Sequence, residues 1–212
     1  MWKTLILFYF INMLFNKKFI LASNSKSRFF ILKNNQLNFR QVSPTCDEEL
    51  IKKQKIKEKI SPKKISLYLA IKKAASISKK HHNSLIIGSD TTIDLNNKMV
   101  EKAKNIKEVK KKLNKLSGKK HNIYSSAAAY YKNKLVWKAT QKTTIKVRKL
   151  SRKEINEYLR KTDKKILFSV GCFQIEKGGA NIIENIKGDF FNVMGFPLFP
   201  FLLFLKKFNM KK

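Results

Sequence analysis

From Phe19 to Asn35 the chain reads FILASNSKSRFFILKNN. An apolar run ends in Ser23-Asn24-Ser25, and Arg28 opens a second apolar run. Arg28 is one of only five arginines among 47 basic residues. A strand that ends in short polar residues and turns into a helix leaves N–H groups and hydroxyls at a positive helix N-terminus. Such a terminus attracts anions, and a guanidinium in the first turn can fork onto phosphate oxygens. No glycine-rich stretch accompanies it, so neither a P-loop nor a dinucleotide fingerprint is present. Taken alone, the same stretch also reads as a polar turn and a capped helix.

Carboxylates come next, because the chain has only 14 acidic residues. Glu58, Glu108, Glu154 and Glu157 fall on the solvated faces of predicted helices. Asp90 does not: it closes the apolar run SLIIGSD, a strand end of the kind where α/β folds place their sites. Asp47, Glu48 and Glu49 cluster in PTCDEELIKK, which reads as a loop. A Mg²⁺ ion bound to substrate phosphates needs one or two such oxygens and keeps some of its water. The plain alternatives are a turn cap for Asp90 and solvated charge for the cluster. His81, His82 and His121 show no metal-ligand spacing. Cys46 and Cys172 form no CxxC pair, which points to a reducing cytoplasm and no disulfide framework.

These groups need elements to position them. Lys18–Ala22 predicts a buried strand and Lys26–Asn34 a short helix. LNFRQVS alternates as a strand does. Ser61-Pro62 marks a helix start, with Pro at the first helical position, followed by Ile65, Leu69 and Ala75 at helical spacing. TTIDLNNKMV predicts a hairpin turning at Asn96-Asn97. Asn105–Leu116 is amphipathic and stops near Gly118. HNIYSSAAAYY and LVWKATQKTTIKV predict a long hairpin turning at KNK. Ser151 and Glu154 form a capping box for a helix to about Arg160. ILFSVGCFQIE reads as a strand, and Pro197–Phe208 as a closing apolar helix. Strands alternating with helices predict one α/β unit of two lobes.

The 212 residues suit one domain or two small lobes, and the formal net charge is +33. Such charge suggests a nucleic-acid or anionic-membrane binder. Against that, the basic residues are nearly all lysine and spread along the whole chain, with abundant Asn and Ile. That pattern matches AT-rich coding, whereas phosphate and base-edge readers favour arginine. No specific nucleic acid and no membrane are therefore expected as partners. MWKTLILFYFINMLF is too short to span a bilayer comfortably. Residues 1–15 read as an extension or misassigned start, with a membrane anchor as the alternative, and residues 16–212 as the domain.

Read together, the motifs resemble the Maf, or septum-formation, family of nucleoside triphosphate pyrophosphatases, from about Phe19 to Phe208. They are LASNSKSR, CDE at Cys46–Glu48, LAIKKA at Leu69–Ala74, IIGSDT at Ile86–Thr91, VEKA at Val100–Ala103, LSGKKH at Leu116–His121, GCFQIE at Gly171–Glu176 and IKGDFFNVMGFPL at Ile186–Leu198. The resemblance implies a cytoplasmic enzyme with an elongated mixed β-sheet flanked by helices, of the Maf/ITPase-like kind, and a nucleotide cleft between two lobes. It implies hydrolysis of nucleoside triphosphates to monophosphate and pyrophosphate with a divalent cation (Mg²⁺, or else Mn²⁺ or Co²⁺), and a homodimer, as members of the family often form. A basic nucleic-acid binder or a catalytically degenerate relative is the alternative.

Residue by residue, the family's proton acceptor falls on Asp90. Its phosphate-handling positions fall on Ser23, Ser25, Arg28, Lys73 and Lys102. Its second acidic position falls on Glu48, which with Asp90 would hold the metal. Its specificity positions fall on Ser27, Thr91 and Glu176. Members that favour dTTP and UTP usually show Arg, Thr and Gln there, so only Thr91 matches. A carboxylate at the third position resembles the members that act on 7-methyl-GTP, although Ser27 lacks the bulk seen in that group. The expectation is a preference for guanine-type or modified triphosphates. Lys26 and Ala103 stand where the family commonly has Pro, and Ser125-Ser126 where it has a Thr-Gly pair.

Overall fold

The computed structural model describes residues 18–167 and 169–210. Both readings of residues 1–15 therefore lie outside the described residues. Strands β1 (Phe19–Ala22), β2 (Phe39–Val42), β3 (Ile86–Leu95), β4 (Lys98–Val100), β5 (Lys120–Tyr131), β6 (Lys134–Val147) and β7 (Ile183–Lys187) form one sheet. Its order is β2-β1-β3-β5-β6-β7, with β4 paired to β3. β1 runs parallel to β2 and β3, and the other pairs are antiparallel. The helices are α1 (Lys26–Asn34), α2 (Glu48–Lys57), α3 (Pro62–Ser78), α4 (Ile106–Leu116), α5 (Arg152–Lys161), α6 (Lys164–Leu167), α7 (Phe190–Met194) and α8 (Leu198–Met210). The architecture is the α/β fold with a mixed sheet that the sequence predicts.

Two long strands tie the halves together. β3 contributes Ile87 to one core, with Phe19, Leu21, Phe196 and Phe201, and Ile93 and Leu95 to the other, with Leu113 and Ile155. β5 likewise gives Ile123 to the second core and Ala127 and Ala129 to the first. The lobes thus share strands and do not hang on a linker. On one side of β3 the partner changes. β1 pairs with Ile86 to Gly88, and β4 pairs with Ile93 to Leu95. Between those stretches neither strand covers that edge of β3, and Asp90 lies in the gap.

The predicted hairpins form. Asn96 and Asn97 have φ of 54° and 61°, and Lys132 and Asn133 have φ of 49° and 61°. These left-handed pairs suit the twist of antiparallel strands, and Asn tolerates them well. The capping box at Ser151 and Glu154 forms as well.

Three predictions fail. Asp90 does not close a strand: β3 runs through it from Ile86 to Leu95, so Asp90 stands mid-strand. PTCDEELIKK is not a loop: Asp47 caps α2 by accepting from Leu50 N, and Glu48 and Glu49 occupy its first turn. Acids there are favoured by the helix dipole, so the acidic cluster is a helix start. ILFSVGCFQIE is not one strand. Its described part holds the end of α6, a turn, and a 3₁₀ turn at Ile175–Lys177. Cys172 has φ of 60°, which no strand accepts.

His121, at the start of β5, is 2% exposed, and both its ring nitrogens lack a hydrogen-bond partner among the described residues. Burial lowers its pKa from 6.5 to about 4, so the fold prefers the neutral ring. The unfolded chain then binds the extra proton between those values, and stability falls as pH falls. His121 should cost nothing above pH 6.5 and about 3 kcal/mol by pH 4. Urea titrations across that range should show the loss, and His121→Leu should flatten it. An equal slope in both proteins would count against this account.

Candidate active site

Asp90 lies in a cleft of about 550 Å³ at the uncovered edge of β3. One wall comes from Ser23 to Arg28, Glu48, Lys52 and Lys73; the other includes Glu101, Lys102, Gln174 and Glu176. All ten site residues expected from the sequence line this one cleft: Ser23, Ser25, Ser27, Arg28, Glu48, Lys73, Asp90, Thr91, Lys102 and Glu176. They come from positions as far apart as 23 and 176 in the chain.

Close helix packing builds the floor. A Cβ at Gly88 would lie 2.1 Å from the Ala70 carbonyl oxygen and 2.6 Å from Ala74 N. Only glycine lets α3 approach β3 this closely, and Ala70 and Ala74 are correspondingly small. Lys73 lies between those alanines, and Asp90 lies two residues beyond Gly88. The approach therefore presses the Lys73 ammonium onto Asp90. Lys73 Nζ donates to Asp90 Oδ1 at 2.8 Å and lies 2.7 Å from Glu48 Oε2. Glu48 points inward because the Asp47 cap sets the start of α2. One nearly buried ammonium thus joins two carboxylates from two other elements.

Arg28 is fastened at three points. Its Nε donates to Gly195 O at 2.9 Å, and its terminal nitrogens donate to Ser23 Oγ and Thr91 Oγ1, each at 3.0 Å. Burial works against its charge, while Asp90 and Glu48 support it. Among the described residues, no carboxylate lies within ion-pair distance of Arg28. A buried guanidinium held only by neutral oxygens is prepared for an anion. Ser25 caps α1, accepting from Arg28 N at 3.4 Å, and its own N–H donates to Ser23 Oγ at 3.3 Å. Ser23 and Ser25 thus shape the turn that carries Arg28.

Thr91 does more than line the cleft. Its hydroxyl accepts from Arg28, reaches Gly195 O at 3.2 Å and lies 3.0 Å from Ser125 Oγ. Gly195 has φ of 108°, and a Cβ there would sit 3.3 Å from Thr91 Oγ1. Fully buried Asn192 fixes this turn. Its Oδ1 accepts from Ser125 N at 3.0 Å, and its Nδ2 donates to Thr143 Oγ1 at 2.8 Å and Ile123 O at 3.2 Å. Asn192 and Gly195 belong to the quoted IKGDFFNVMGFPL stretch, yet their roles went unread. Nothing in one sequence pairs Asn192 with backbone groups 67 and 69 residues away.

Ser27 and Glu176 meet across the mouth, the Ser27 hydroxyl donating to Glu176 Oε1 at 3.1 Å. Glu176 is exposed but faces the cleft, while Lys102 projects from the loop after β4 and is exposed. Lys52 also lines the cleft, a place that the helical α2 gives it and the loop expected over PTCDEELIKK does not.

Glu48 and Asp90 supply hard oxygen donors within reach of one ammonium. Among the described residues, no three His, Cys, Asp or Glu side chains group as a complete metal cage. Mg²⁺ fits such a site, since it is usually held by one or two carboxylates together with substrate phosphates. Also among the described residues, no helix is long and apolar enough to cross a membrane.

Residues 18–208 match the family model described as Maf-like protein. A 7-methyl-GTP pyrophosphatase of Bartonella henselae is 38% identical over 190 residues, covering 90% of this chain and 95% of that protein. A nucleoside triphosphate pyrophosphatase of Caulobacter vibrioides is 33% identical over 186 residues, covering 88% and 93%. Another of that name, from Pelagibacter ubique, is 34% identical over 190 residues, covering 90% and 97%. Among solved structures, the Staphylococcus aureus Ham1 protein gives a TM-score of 0.35 at 16% identity, covering 62% of this chain and 71% of that one, too slight a likeness to argue from. On a family match that runs from the first described strand into the last helix, this chain belongs to the Maf family.

Proposed function

We infer that this protein hydrolyses nucleoside triphosphates between the α and β phosphates, releasing the monophosphate and pyrophosphate. The observation that carries the reading is the Glu48–Lys73–Asp90 unit beside Arg28 in one cleft of a Maf-family chain. Water must attack phosphorus while negative charge grows on the departing pyrophosphate. Asp90 accepts the water's proton, and Lys73 orients it by holding Oδ1. Arg28 and Lys102 take up the growing charge, and the third N–H of Lys73 is available to it as well. A Mg²⁺ ion held by Glu48, Asp90 and the phosphates would neutralise part of that charge and polarise the bond to be broken. Mn²⁺ or Co²⁺ would serve in its place. We place the enzyme in the cytoplasm, in keeping with its two free cysteines.

For the base, we propose a preference for guanine-type or modified triphosphates over dTTP and UTP. Glutamine offers a donor and an acceptor to a pyrimidine edge, whereas a carboxylate only accepts. Guanine presents N1–H and an exocyclic amine, and N7 methylation adds a positive charge. Ser27 uses one acceptor site of Glu176, and others remain for the base. The 7-methyl-GTP pyrophosphatase name borne by the Bartonella henselae relative supports the same reading.

Three measurements test this. Ion-exchange analysis after incubation with Mg²⁺ should find monophosphate and pyrophosphate. Diphosphate and orthophosphate would overturn the assignment. Asp90→Asn should lower turnover by about 10² to 10⁴ while nucleotide binding is largely kept; near wild-type turnover would remove Asp90 as the base. Values of kcat/KM for 7-methyl-GTP, GTP, dTTP and UTP should rank the first two above the others, and Glu176→Gln should shift the order toward pyrimidines. A clear wild-type preference for dTTP or UTP would sink the base assignment alone.

A further inference from the structure

Lys52 carries none of the roles described so far. It stands one helical turn after Glu48 on α2, so the two share a face. Glu48 reaches the floor of the cleft at Lys73, and Lys52 lines the cleft beside it. In a chain this rich in lysine, a cleft lysine needs a further distinction. The Lys52 side chain is only 17% exposed, while its partner Glu49 is 68% exposed. Most of the side chain is covered, and its 2.8 Å contact is with a carboxylate that remains in water. An i,i+3 pair of this kind contributes little stability and exchanges easily.

Two cations of the cleft are more committed, while Lys26 and Lys102 are exposed. Lys73 is engaged by two carboxylates, and Arg28 by three neutral oxygens. Lys102 acts on the same Glu49 as Lys52. The pKa of that carboxyl is lowered chiefly by the Lys52 hydrogen bond, against its desolvation, and in smaller part by the charges of Lys102 and Lys53. Lys52 and Lys102 line the same cleft, one from α2 and the other from the loop after β4. The inward end of the cleft holds Asp90 and Arg28, where the α phosphorus must react. The outer part is left for the terminal phosphate, whose second ionisation near pH 6 and three oxygens make it the most highly charged part of a triphosphate.

We propose that Lys52 is a ligand of the terminal phosphate of the bound nucleotide, exchanging Glu49 for phosphate as the substrate enters, with Lys102 on the loop after β4. The proposal rests on the pyrophosphatase reading and adds a residue to its substrate-binding set. The new charge develops chiefly on the oxygen between the α and β phosphates, inward of this contact, so most of the loss should fall on KM.

The test uses the full chain with Mg²⁺ and the triphosphate it turns over best, with inorganic tripolyphosphate and the product monophosphate as inhibitors. Lys52→Gln should raise KM and the tripolyphosphate inhibition constant about tenfold, as expected for one charge-assisted hydrogen bond at a part-exposed site. It should leave kcat, the monophosphate inhibition constant and the melting temperature nearly unchanged. Lys52→Arg should restore most of the affinity. Lys53→Gln is the control: Lys53 is exposed and outside the cleft lining, so it removes the same net charge and should change little. If the two glutamine variants behave alike, or if monophosphate affinity falls as far as tripolyphosphate affinity, Lys52 is not a terminal-phosphate ligand. If the wild type releases no pyrophosphate, the pyrophosphatase reading fails by itself. Thermal-shift titration with tripolyphosphate then still decides the role of Lys52, since it requires no turnover.

Discussion

A buried ammonium needs partners, and the site is organised around that need. The Lys73 side chain is 4% exposed. An unpaired charge at such a place costs far more than a typical single interaction contributes. Glu48 and Asp90 meet the need from α2 and β3, so three elements converge on one nitrogen. The requirement also reaches outward. α2 must start at the Asp47 cap for Glu48 to point inward. α3 must lie against β3, which is why residue 88 cannot carry a Cβ. The two carboxylates would in turn repel each other without the ammonium between them, so Lys73 holds them together at the cleft floor.

The cleft exists because β3 changes partner on one edge. β1 leaves it after Gly88, and β4 joins at Ile93. The uncovered residues between them are where a strand can offer side chains to a ligand, consistent with α/β folds placing sites where strand connections diverge. Shared strands β3 and β5 keep the floor fixed relative to both cores. The contacts that cross the cleft differ in kind. Arg28 to Gly195 is buried and part of a network anchored by Asn192. Ser27 to Glu176 is exposed and isolated. The first holds geometry, and the second can give way to a base without disturbing the core.

Much of this was legible in the sequence because the signals were local. The serine turn before Arg28, the Asn-Asn hairpin and the capping box are all read within a few residues, whereas the strand expected to end at Asp90 continues to Leu95 because TTIDL also pairs with β5. The α2 start was misread because Asp47-Glu48-Glu49 looks like loop charge when no apolar stripe follows, and α2 indeed buries no residue fully. That error also hid Lys52, whose place beside Glu48 exists only if the segment is helical. The run through Gly171 and Cys172 was misread because its apolar residues suggest a strand. There the deciding features are a close contact and a left-handed backbone, neither visible in residue type: a Cβ at Gly171 would sit 2.6 Å from the Phe173 ring. Asn192 was invisible for another reason, since its partners are backbone groups far away in the chain.

Lysine content is a poor guide to function in this chain, and burial is a better one. With a formal charge of +33, a diffuse positive field draws any polyanion toward the molecule. That field cannot by itself distinguish a triphosphate from nucleic acid. Discrimination has to come from groups whose position is fixed: Arg28 at three neutral oxygens, Lys73 between two carboxylates, and an enclosed floor at the β3 gap. Among the cleft lysines, Lys73 is buried and paired, Lys52 is mostly covered, and Lys26 and Lys102 are exposed. That range of burial suits a triphosphate, with rigid geometry where the bond breaks and exposed charge where the terminal phosphate must enter and leave.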